Sequence, residues 1–189
     1  SNINYPKDIS RMIYRSGIKP GDRVVELGAG SGGMAISLAW TLGSAGRVYT
    51  YDIREDMLQC AGKNLKRAGL DERVELKRKE KQACFAETDV DAVFMDIPTP
   101  WEELDPAWRA LAPGGYLACT VPTYDQLGEL SASLGRNAFL ALEAMEILCR
   151  PLQAEKGRTR PEFRMTAHTQ MIQFAVKVEH QGLTPATAD

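Results

Sequence analysis

Two parts of the sequence carry residue types that could do chemistry. One is a glycine-rich segment that follows the short apolar stretch 23–27 and consists of Gly28, Ala29, Gly30, Ser31, Gly32 and Gly33. Glycines at this place let the backbone turn tightly and approach a ligand, and the start of a following helix offers free N–H groups. The other part is Asp96, a carboxylate that directly follows the apolar residues 92–95. The glycine segment predicts a nucleotide-type site.

The glycine spacing fits two kinds of cofactor. Gly28, Gly30 and Gly33 match the G-x-G-x-x-G pattern of dinucleotide-binding enzymes. Gly28, Gly30 and Gly32 match the G-x-G-x-G pattern of enzymes that bind S-adenosylmethionine (SAM). The glycines alone therefore do not separate the two.

Two carboxylates near the glycines narrow the choice. Asp52 ends the next predicted strand, where it could accept hydrogen bonds from a ribose diol of either cofactor or cap the following helix. Glu26 lies in the strand before the glycines, where its charge would be costly beside a pyrophosphate. It could instead accept bonds from the loop N–H groups or meet the ammonium of a methionine. Glu26 therefore favours SAM.

Asp96 lies where ligands bind in open α/β sheets, beyond the carboxyl end of a strand. An ionised carboxylate only accepts hydrogen bonds, so it could receive one from the exocyclic amine of a purine. Capping of the next helix is its alternative role. Trp101, which follows two prolines, could stack on a base or pack in the core.

Strands and helices alternate along the chain and would place these residues at one edge of a sheet. Hydrophobic patterns and glycine or proline breaks predict helices over 6–16, 34–42, 55–68, 102–111 and 124–134. They predict strands over 23–27, 47–51, 74–76, 91–96, 116–121, 142–148 and 171–178. No helical crossover joins the last two strands, so we expect them to be antiparallel. This order predicts an α/β, doubly wound, Rossmann-like fold with a seven-stranded, mostly parallel sheet and an antiparallel last strand.

Composition sets the broad class. The chain has 189 residues with 44% hydrophobic and 25% charged residues, which is ordinary for a globular protein. We predict one domain over residues 1–179 and a flexible tail over 180–189. The net charge of −2 excludes a uniformly basic nucleic-acid coat protein. No apolar run approaches the ~20 residues of a membrane helix, and no signal peptide is seen, so we expect a cytoplasmic protein without a membrane partner.

Cysteine and histidine usage argues against a metal site. The four cysteines are Cys60, Cys84, Cys119 and Cys149, and none forms a C-x-x-C pair. The chain has only two histidines. We therefore predict no metal, and reduced structural thiols.

Several short motifs occur in an order that resembles the catalytic domain of tRNA (adenine-N1)-methyltransferases, which modify adenosine 58 of the T-loop. The motifs are Tyr5-Pro6-Lys7-Asp8, Glu26 to Gly32, Tyr51 to Asp56, Asp96-Ile97-Pro98 with Pro100-Trp101, Pro113-Gly114-Gly115, Arg160-Pro161 and His168-Thr169. The glycine motif is generic to methyltransferases, whereas the motifs at Tyr5, Tyr51 and Asp96 are more specific. The resemblance covers about residues 4–178.

The resemblance implies a SAM-dependent methyltransferase that acts on tRNA and forms a homo-oligomer, a tetramer or a dimer. It implies that Asp96 contacts the target adenine as the catalytic carboxylate and that Tyr5 helps to hold the flipped base. The cofactor-binding residues that it implies are Glu26, Gly28, Ala29, Gly30, Ser31, Gly32, Asp52, Ile53, Glu80 and Asp96. Glu80 would meet the cofactor adenine.

Three departures from the family pattern stand out. The family usually carries a small N-terminal domain ahead of the motif that begins at Tyr5, and this chain begins almost at that motif. The family usually has Asp where Glu80 stands. It usually has Gly where Gln170 stands, which draws attention to the backbone at the start of the last strand.

Positive charge is concentrated locally despite the negative total. Residues 150–164 hold five Lys or Arg against two Glu, and residues 63–81 hold eight against four Asp or Glu. Such patches suit phosphate contacts, although solvated faces or subunit contacts explain them equally well. The predicted RNA-binding residues are Trp101, Arg158, Arg160, Arg164 and His168.

Three alternatives stay open at this point. One is a small-molecule methyltransferase similar to the corrin-pathway (precorrin) decarboxylating methyltransferases. Another is a non-catalytic SAM-binding scaffold subunit, which the intact glycines and Asp96 disfavour. The third is a nicotinamide-dependent oxidoreductase, which Glu26 and the antiparallel last strand disfavour.

Overall fold

A seven-stranded sheet forms the centre of the computed structural model, which describes residues 4–178. The predicted tail over 180–189 lies outside the described residues. The strands, in chain order, are β1 (Arg23–Leu27), β2 (Arg47–Asp52), β3 (Val74–Arg78), β4 (Val90–Met95), β5 (Leu111–Val121), β6 (Phe139–Glu146), β7 (Leu152–Gln153), β8 (Arg160–Pro161) and β9 (Met171–Lys177). Their order in the sheet is β3-β2-β1-β4-β5-β9-β6, and β7 and β8 form a separate pair.

The direction of the strands confirms the predicted fold class. The four pairs from β3 to β5 are parallel, whereas β9 runs antiparallel to both of its neighbours, β5 and β6. The sheet order reverses between β1 and β4, because the chain moves outward from β1 through β2 and β3 and then returns to the other side. In such sheets a crevice opens beyond the carboxyl ends of the strands at the reversal.

Within residues 4–178, five α-helices cover the two faces of the sheet. They are α1 (Pro6–Arg15), α2 (Gly33–Leu42), α3 (Glu55–Ala68), α4 (Leu104–Ala110) and α5 (Tyr124–Arg136). The ends of α3 follow the usual chemistry, since acidic residues occupy its first turn, basic residues its last turn, and Gly69 ends it at a left-handed φ of 66°. Thr123 begins α5 by accepting a hydrogen bond from the Gln126 N–H.

The core lies on both faces of the central strand β4. Its residues 92–95 are almost completely buried, as the uninterrupted apolar run predicts. One hydrophobic cluster joins this strand to α1, α2 and α3 through side chains such as Met12, Leu38 and Leu65. A second cluster joins it to α4 and α5 through Leu104 and Leu130. The residues that follow β4, beginning with Asp96, are therefore attached to a strand that is packed on both faces.

Several boundaries differ from the sequence predictions, among them those of β6, β5 and α4. β6 covers Phe139–Glu146 rather than 142–148, because its apolar residues begin at Phe139, which is buried and pairs with Lys177 of β9. β5 begins at Leu111, where a register shift against β4 precedes Tyr116. A 3₁₀ turn over Pro100–Glu103 comes before α4, so the predicted helix 102–111 is shorter.

The packing of β9 yields a test of the fold. Phe174 is fully buried between β5 and β6, whereas Leu140 on β6 is 54% exposed. We expect Phe174→Ala to lower the free energy of unfolding by about 3–5 kcal/mol, because it leaves a cavity in the core. Leu140→Ala, the matched control, should change it by about 0.5 kcal/mol or less. Urea unfolding measures both, and equal losses would contradict this arrangement of β9.

Candidate active site

A cleft of about 440 Å³ opens beyond the carboxyl ends of β1, β2 and β4. Its walls come from the glycine loop, the residues after β2, the loop after β3 and the segment after β4. Of the residues predicted to bind the cofactor, the cleft is lined by Gly28, Gly30, Asp52, Ile53 and Asp96. The fold thus brings the glycines and the acidic residue of β4 into one cavity.

Gly28 allows the loops after β1 and β4 to touch. Its φ is 105°, and a Cβ at this position would lie 2.3 Å from the carbonyl oxygen of Asp96. The Asp96 N–H donates to the Leu27 carbonyl at 2.9 Å, and the Gly28 N–H donates to the Tyr51 carbonyl at 2.8 Å. Any larger residue at position 28 would push the Asp96 segment away, so glycine is required here.

Asp52 holds the glycine loop from the end of β2. Its Oδ1 accepts from the Arg54 N–H at 2.9 Å, and its Oδ2 lies 3.5 Å from the Gly30 N–H. Arg54 is itself the residue before α3, so Asp52 orders the turn that leads to the helix rather than capping the helix. The side chain still lines the cleft, where it can face a ribose.

Glu26 lies buried beneath the loop. Its Oε2 accepts from the Thr50 hydroxyl at 2.6 Å on the neighbouring strand β2. Burial raises the pKa of the Glu26 carboxyl to about 8, and the negative charges of Asp96 and Asp52 act in the same direction. A cation placed beside Glu26 would lower this pKa, so the position is suited to a positively charged ligand group.

Two donors orient the carboxylate of Asp96. Its Oδ1 accepts from the Thr120 hydroxyl at 2.9 Å, and its Oδ2 accepts from the Asn4 side-chain amide at 2.9 Å. Burial raises the pKa of Asp96, and these two hydrogen bonds partly offset the rise. The carboxylate is therefore bonded to β5 and to the segment before α1, and not to the helix that follows it.

Sequence reasoning missed Asn4 and Thr120. Thr120 is a polar residue near the carboxyl end of an apolar strand next to β4, and that pattern could have indicated it. Asn4 directly precedes the motif at Tyr5, but only the folded chain brings it to Asp96. The substitution at Gln170 does not strain the backbone, since it is not among the described non-glycine residues with positive φ.

A buried ion pair connects two walls of the cleft. The Lys79 ammonium lies 2.5 Å from Glu103 Oε2, and both side chains are almost fully buried. Glu103 Oε1 also accepts from the Gln82 N–H at 2.8 Å. The pair fastens the loop after β3 to the 3₁₀ turn that follows Asp96.

Glu80 is not brought to the cleft with the other predicted cofactor residues. Its side chain is 80% exposed, pairs with Arg78 at 3.5 Å and lines a separate depression. The residues on either side of it, Lys79 and Lys81, line the cleft instead. The buried Lys79–Glu103 pair fixes this register, which the sequence alone does not reveal.

The remaining residues of the glycine segment serve the loop itself. Ala29 is buried, and the Ser31 carbonyl accepts from the Asn64 amide at 2.9 Å. Gly32 packs against α3, where a Cβ would lie 3.1 Å from the Cα of Ala61.

Tyr5 and Trp101 lie outside the residues that line the cleft. Tyr5 is 45% exposed, and its carbonyl accepts from the N–H groups of Asp8 and Ile9 at the start of α1. Trp101 is half-buried and packs against the core cluster beneath α4 and α5. Of the two roles expected for Trp101, the core contact is therefore present, and the residue is only partly buried.

The predicted RNA-binding arginines are exposed between β6 and β9. Arg158 and Arg164 are exposed, and Arg160 donates to Gln153 while its guanidinium lies 4.4 Å from the Phe163 ring centre. The short strands β7 and β8 order this loop.

His168 is held at the edge of the sheet between two acceptors. Glu146 Oε1 and the Pro122 carbonyl each lie 2.7 Å from one ring nitrogen. Both nitrogens must carry hydrogen to satisfy both acceptors, so these contacts raise the pKa of the imidazole.

No group of three or more His, Cys, Asp or Glu side chains within residues 4–178 could hold a metal ion. None of the helices in this part of the chain is long and apolar enough to cross a membrane.

A comparison with known protein families shows which family the chain belongs to. Residues 1–179 match the family described as tRNA methyltransferase complex GCD14 subunit. The chain belongs to this family. The resemblance seen in the motifs is confirmed, and the fold is that of SAM-dependent methyltransferases.

Curated relatives carry more specific names. A protein from Methanocaldococcus jannaschii named tRNA (adenine(57)-N(1)/adenine(58)-N(1))-methyltransferase TrmI is 32% identical over 90% of this chain and 70% of its own length. A protein from Thermus thermophilus named tRNA (adenine(58)-N(1))-methyltransferase TrmI is 31% identical over 89% of this chain. The chain spans 66% of the length of this second relative.

Solved structures agree with the fold. A structure from Thermotoga maritima described as a SAM-dependent O-methyltransferase superimposes with a TM-score of 0.93 and 40% identity, over 97% of this chain and 69% of the other. TrmI from Aquifex aeolicus, described as a tRNA (m1A58) methyltransferase, has a TM-score of 0.88 and 31% identity, over 95% and 72%. A precorrin 8w decarboxylase with a TM-score of 0.77 is only 20% identical, so it shows the fold alone.

The burial of Glu26 leads to a pH prediction. A carboxyl whose pKa rises from 4.5 to about 8 on folding binds its proton more tightly in the folded state. Its contribution to stability is present below the pKa of the unfolded chain and is lost as the pH rises toward about 8. We therefore expect the unfolding free energy of the wild type to fall relative to Glu26→Gln between these two pH values.

The matched control for this experiment is Glu129→Gln on the exposed surface of α5. Urea unfolding of the three proteins across the pH range provides the measurement. A constant difference between wild type and Glu26→Gln would contradict the buried, protonated carboxyl.

Proposed function

We propose that this chain transfers the methyl group of SAM to N1 of adenine in tRNA, at position 58 of the T-loop. The observation that carries the proposal is the placement of Asp96. Its carboxylate is oriented by two donors, and its backbone contacts Gly28 of the cofactor loop. An acceptor for a purine amine thus lies directly beside the loop of a SAM-type site.

The residues of the cleft fit SAM better than a dinucleotide. A cation beside the buried Glu26 would favour its charged form, so the position suits the ammonium of the methionine end, whereas a pyrophosphate would raise the pKa of Glu26 further. Asp52 faces the space where a ribose diol would lie, with Ile53 beside it. The loop after β3, held by Lys79, would border the cofactor adenine. We retain Gly28, Ala29, Gly30, Ser31 and Gly32 as the loop that contacts the methionine end.

Asp96 is proposed to act on the target base. When bound, SAM supplies an electrophilic methyl group that the lone pair of adenine N1 can accept without a general base. Asp96 accepts a hydrogen bond from the 6-amino group and stabilises the positive charge that develops on the purine. The fixed carboxylate also holds the base in line, and such alignment can supply ~7–11 kcal/mol of the barrier. Tyr5 lies next to Asn4 in sequence and is proposed to hold the flipped base.

The proposed partner is tRNA. The exposed arginines Arg158, Arg160 and Arg164 support phosphate contacts, and Trp101 and His168 are proposed to lie in the same interface. The homo-oligomer, tetramer or dimer, stays a prediction, as does the cytoplasmic location. Because the chain covers only part of its relatives' length, its activity on tRNA as it stands is part of the proposal.

Replacing Asp96 tests the proposal. We expect Asp96→Ala to lower the rate of 1-methyladenosine formation about 10²–10³-fold, because the developing positive charge loses its partner. The affinity for SAM should stay within about twofold, since the cofactor loop remains. Transfer from labelled SAM to tRNA, followed by digestion to nucleosides, measures the rate and also separates 1-methyladenosine from 2′-O-methyl products.

The control is Asp105→Ala on the exposed face of α4, where the aspartate pairs with Arg109. It should leave the rate unchanged. Two results would overturn the assignment of Asp96. One is label in a 2′-O-methyl nucleoside instead of 1-methyladenosine. The other is an Asp96→Ala variant that loses SAM binding but keeps the wild-type rate per bound cofactor.

The loop between β6 and β9 is tested by salt dependence. We expect Arg158→Ala to reduce the slope of log affinity for tRNA against log salt by roughly 0.7–0.9, because one phosphate contact is lost. Arg67→Ala, an exposed arginine of the other positive patch, is the comparison. A reduced slope only in Arg67→Ala would transfer the phosphate contacts to residues 63–81.

A further inference from the structure

We propose that Asn4 and Gln170 are positioning residues for Asp96, with Gln170 orienting the Asn4 amide so that its NH2 group faces the carboxylate. This inference rests on the proposed role of Asp96 in methyl transfer. It adds two residues to the site that lie outside the cofactor loop.

The three side chains form one continuous series of hydrogen bonds. Asn4 Nδ2 donates to Asp96 Oδ2 at 2.9 Å, and Gln170 Nε2 donates to Asn4 Oδ1. The direction of this series follows from chemistry, because an ionised carboxylate only accepts. Asn4 must therefore present its NH2 group to Asp96 and its oxygen to Gln170. Without a donor at position 170, the Asn4 amide could rotate and place its oxygen against the negative carboxylate.

Gln170 has a fixed position from which to act. It is 7% exposed and directly precedes Met171, which pairs with Val121 in the ladder between β9 and β5. Thr120, the other donor to Asp96, is the next residue along that ladder and pairs with Ile172. Thr120 on β5 therefore reaches Asp96 directly, and Asn4 reaches it while bonded to Gln170 at the start of β9.

A second set of contacts fastens the segment that carries Asn4. The Thr169 hydroxyl donates to Asp8 Oδ2 at 2.8 Å and accepts from the Lys7 ammonium at 2.6 Å. Lys7 also donates to Asp8 and to the Ile147 carbonyl, and the Asp8 side chain is completely buried. The start of α1 is therefore bound to residue 169 while Asn4 is bound to residue 170. Such double attachment holds Asn4 in register with Asp96.

The burial of Asp96 makes the Asn4 bond important. Burial raises the pKa of Asp96, and the hydrogen bonds from Thr120 and Asn4 act against that rise. The other acidic residues at this edge of the sheet are Glu26 on β1 and Asp52 on β2. From the segment before α1, Lys7 is paired with Asp8. Without the Asn4 amide, the Thr120 hydroxyl would be the remaining donor to Asp96 among the described side chains. The carboxylate would then take up a proton at higher pH and turn more freely.

Three variants separate positioning from a purely structural role. Asn4→Ala removes the donor. Gln170→Glu places an acceptor opposite Asn4, which would draw the NH2 group away from Asp96. Gln170→Ala leaves the amide without guidance and should have a smaller effect than Gln170→Glu. The matched control is Gln59→Glu on the exposed face of α3, which introduces the same charge away from the cleft.

The kinetic measurement is the rate of 1-methyladenosine formation against pH. We expect Asn4→Ala and Gln170→Glu to lower kcat roughly 10- to 100-fold, because the carboxylate is misplaced. The acid limb of the profile should move to higher pH, while the Kd for SAM stays close to that of the wild type. The melting temperature should stay close to that of the wild type in Asn4→Ala and fall in Gln170→Glu, because residue 170 is buried. Unchanged kcat in both variants of an active enzyme would overturn the inference.

A second measurement does not depend on activity. Carboxyl ¹³C NMR of protein labelled in aspartate, with the Asp96 signal assigned from Asp96→Asn, gives the pKa of this group directly. We expect a higher pKa in Asn4→Ala and Gln170→Glu and no change in Gln59→Glu. An unchanged pKa in the first two variants would overturn the inference. If the wild type formed no 1-methyladenosine, the proposed function would fail, and the NMR titration would still decide whether Asn4 and Gln170 hold Asp96.

Discussion

The close approach of two backbones organises this molecule. Gly28 lies against the carbonyl of Asp96, with no room for a side chain between them. Because β1 and β4 are neighbours in the sheet, the loops that leave them must pass each other at their carboxyl ends. Glycine lets them touch, so a cofactor on one loop and a base on the other would be within reach of each other. The proposed chemistry depends on that proximity.

Acidic side chains are collected at the same edge. Glu26, Asp52 and Asp96 lie on, or directly after, three adjacent parallel strands, and burial raises the pKa of Glu26 and of Asp96. Donors from the protein satisfy each of them in part, through Thr50, the loop N–H groups and Thr120. What remains is an environment that favours cations. A sulfonium cofactor with an ammonium group, and a purine that becomes positive, are ligands of that kind.

Polar contacts between distant segments fasten the walls of the cleft, in addition to the apolar packing of Ile97 against the core. Lys79 and Glu103 join the loop after β3 to the turn after Asp96, and Asn4 joins the start of the chain to Asp96 itself. Removal of one partner of such a buried ion pair strongly destabilises the protein, because the other charge stays buried without a partner. Such contacts specify one arrangement of the loops, which a site that aligns two reactants requires.

The order of strands and helices, the direction of the last strand and the family were predictable from local patterns. A buried parallel strand is a continuous apolar run, and the turn before a cofactor helix needs glycine, so both leave marks in a short stretch of sequence. These marks were sufficient to select the segments that contain Gly28, Asp52 and Asp96 as parts of one site. They were also sufficient to favour SAM through Glu26.

Only the tertiary structure decided which side chains meet. Asn4 and Gln170 are separated by most of the chain. Gln170 donates to Asn4, and Asn4 donates to Asp96, because β9 inserts between β5 and β6 and brings residue 170 to this edge of the sheet. Glu80 was expected in the cleft, but the buried Lys79–Glu103 pair sets the register of its loop and leaves Glu80 outside. Hydrogen bonds and ion pairs between distant segments have no period along the chain. Local sequence therefore specified the elements and the glycine loop, while long-range polar contacts determined the orientation of the residues in the site.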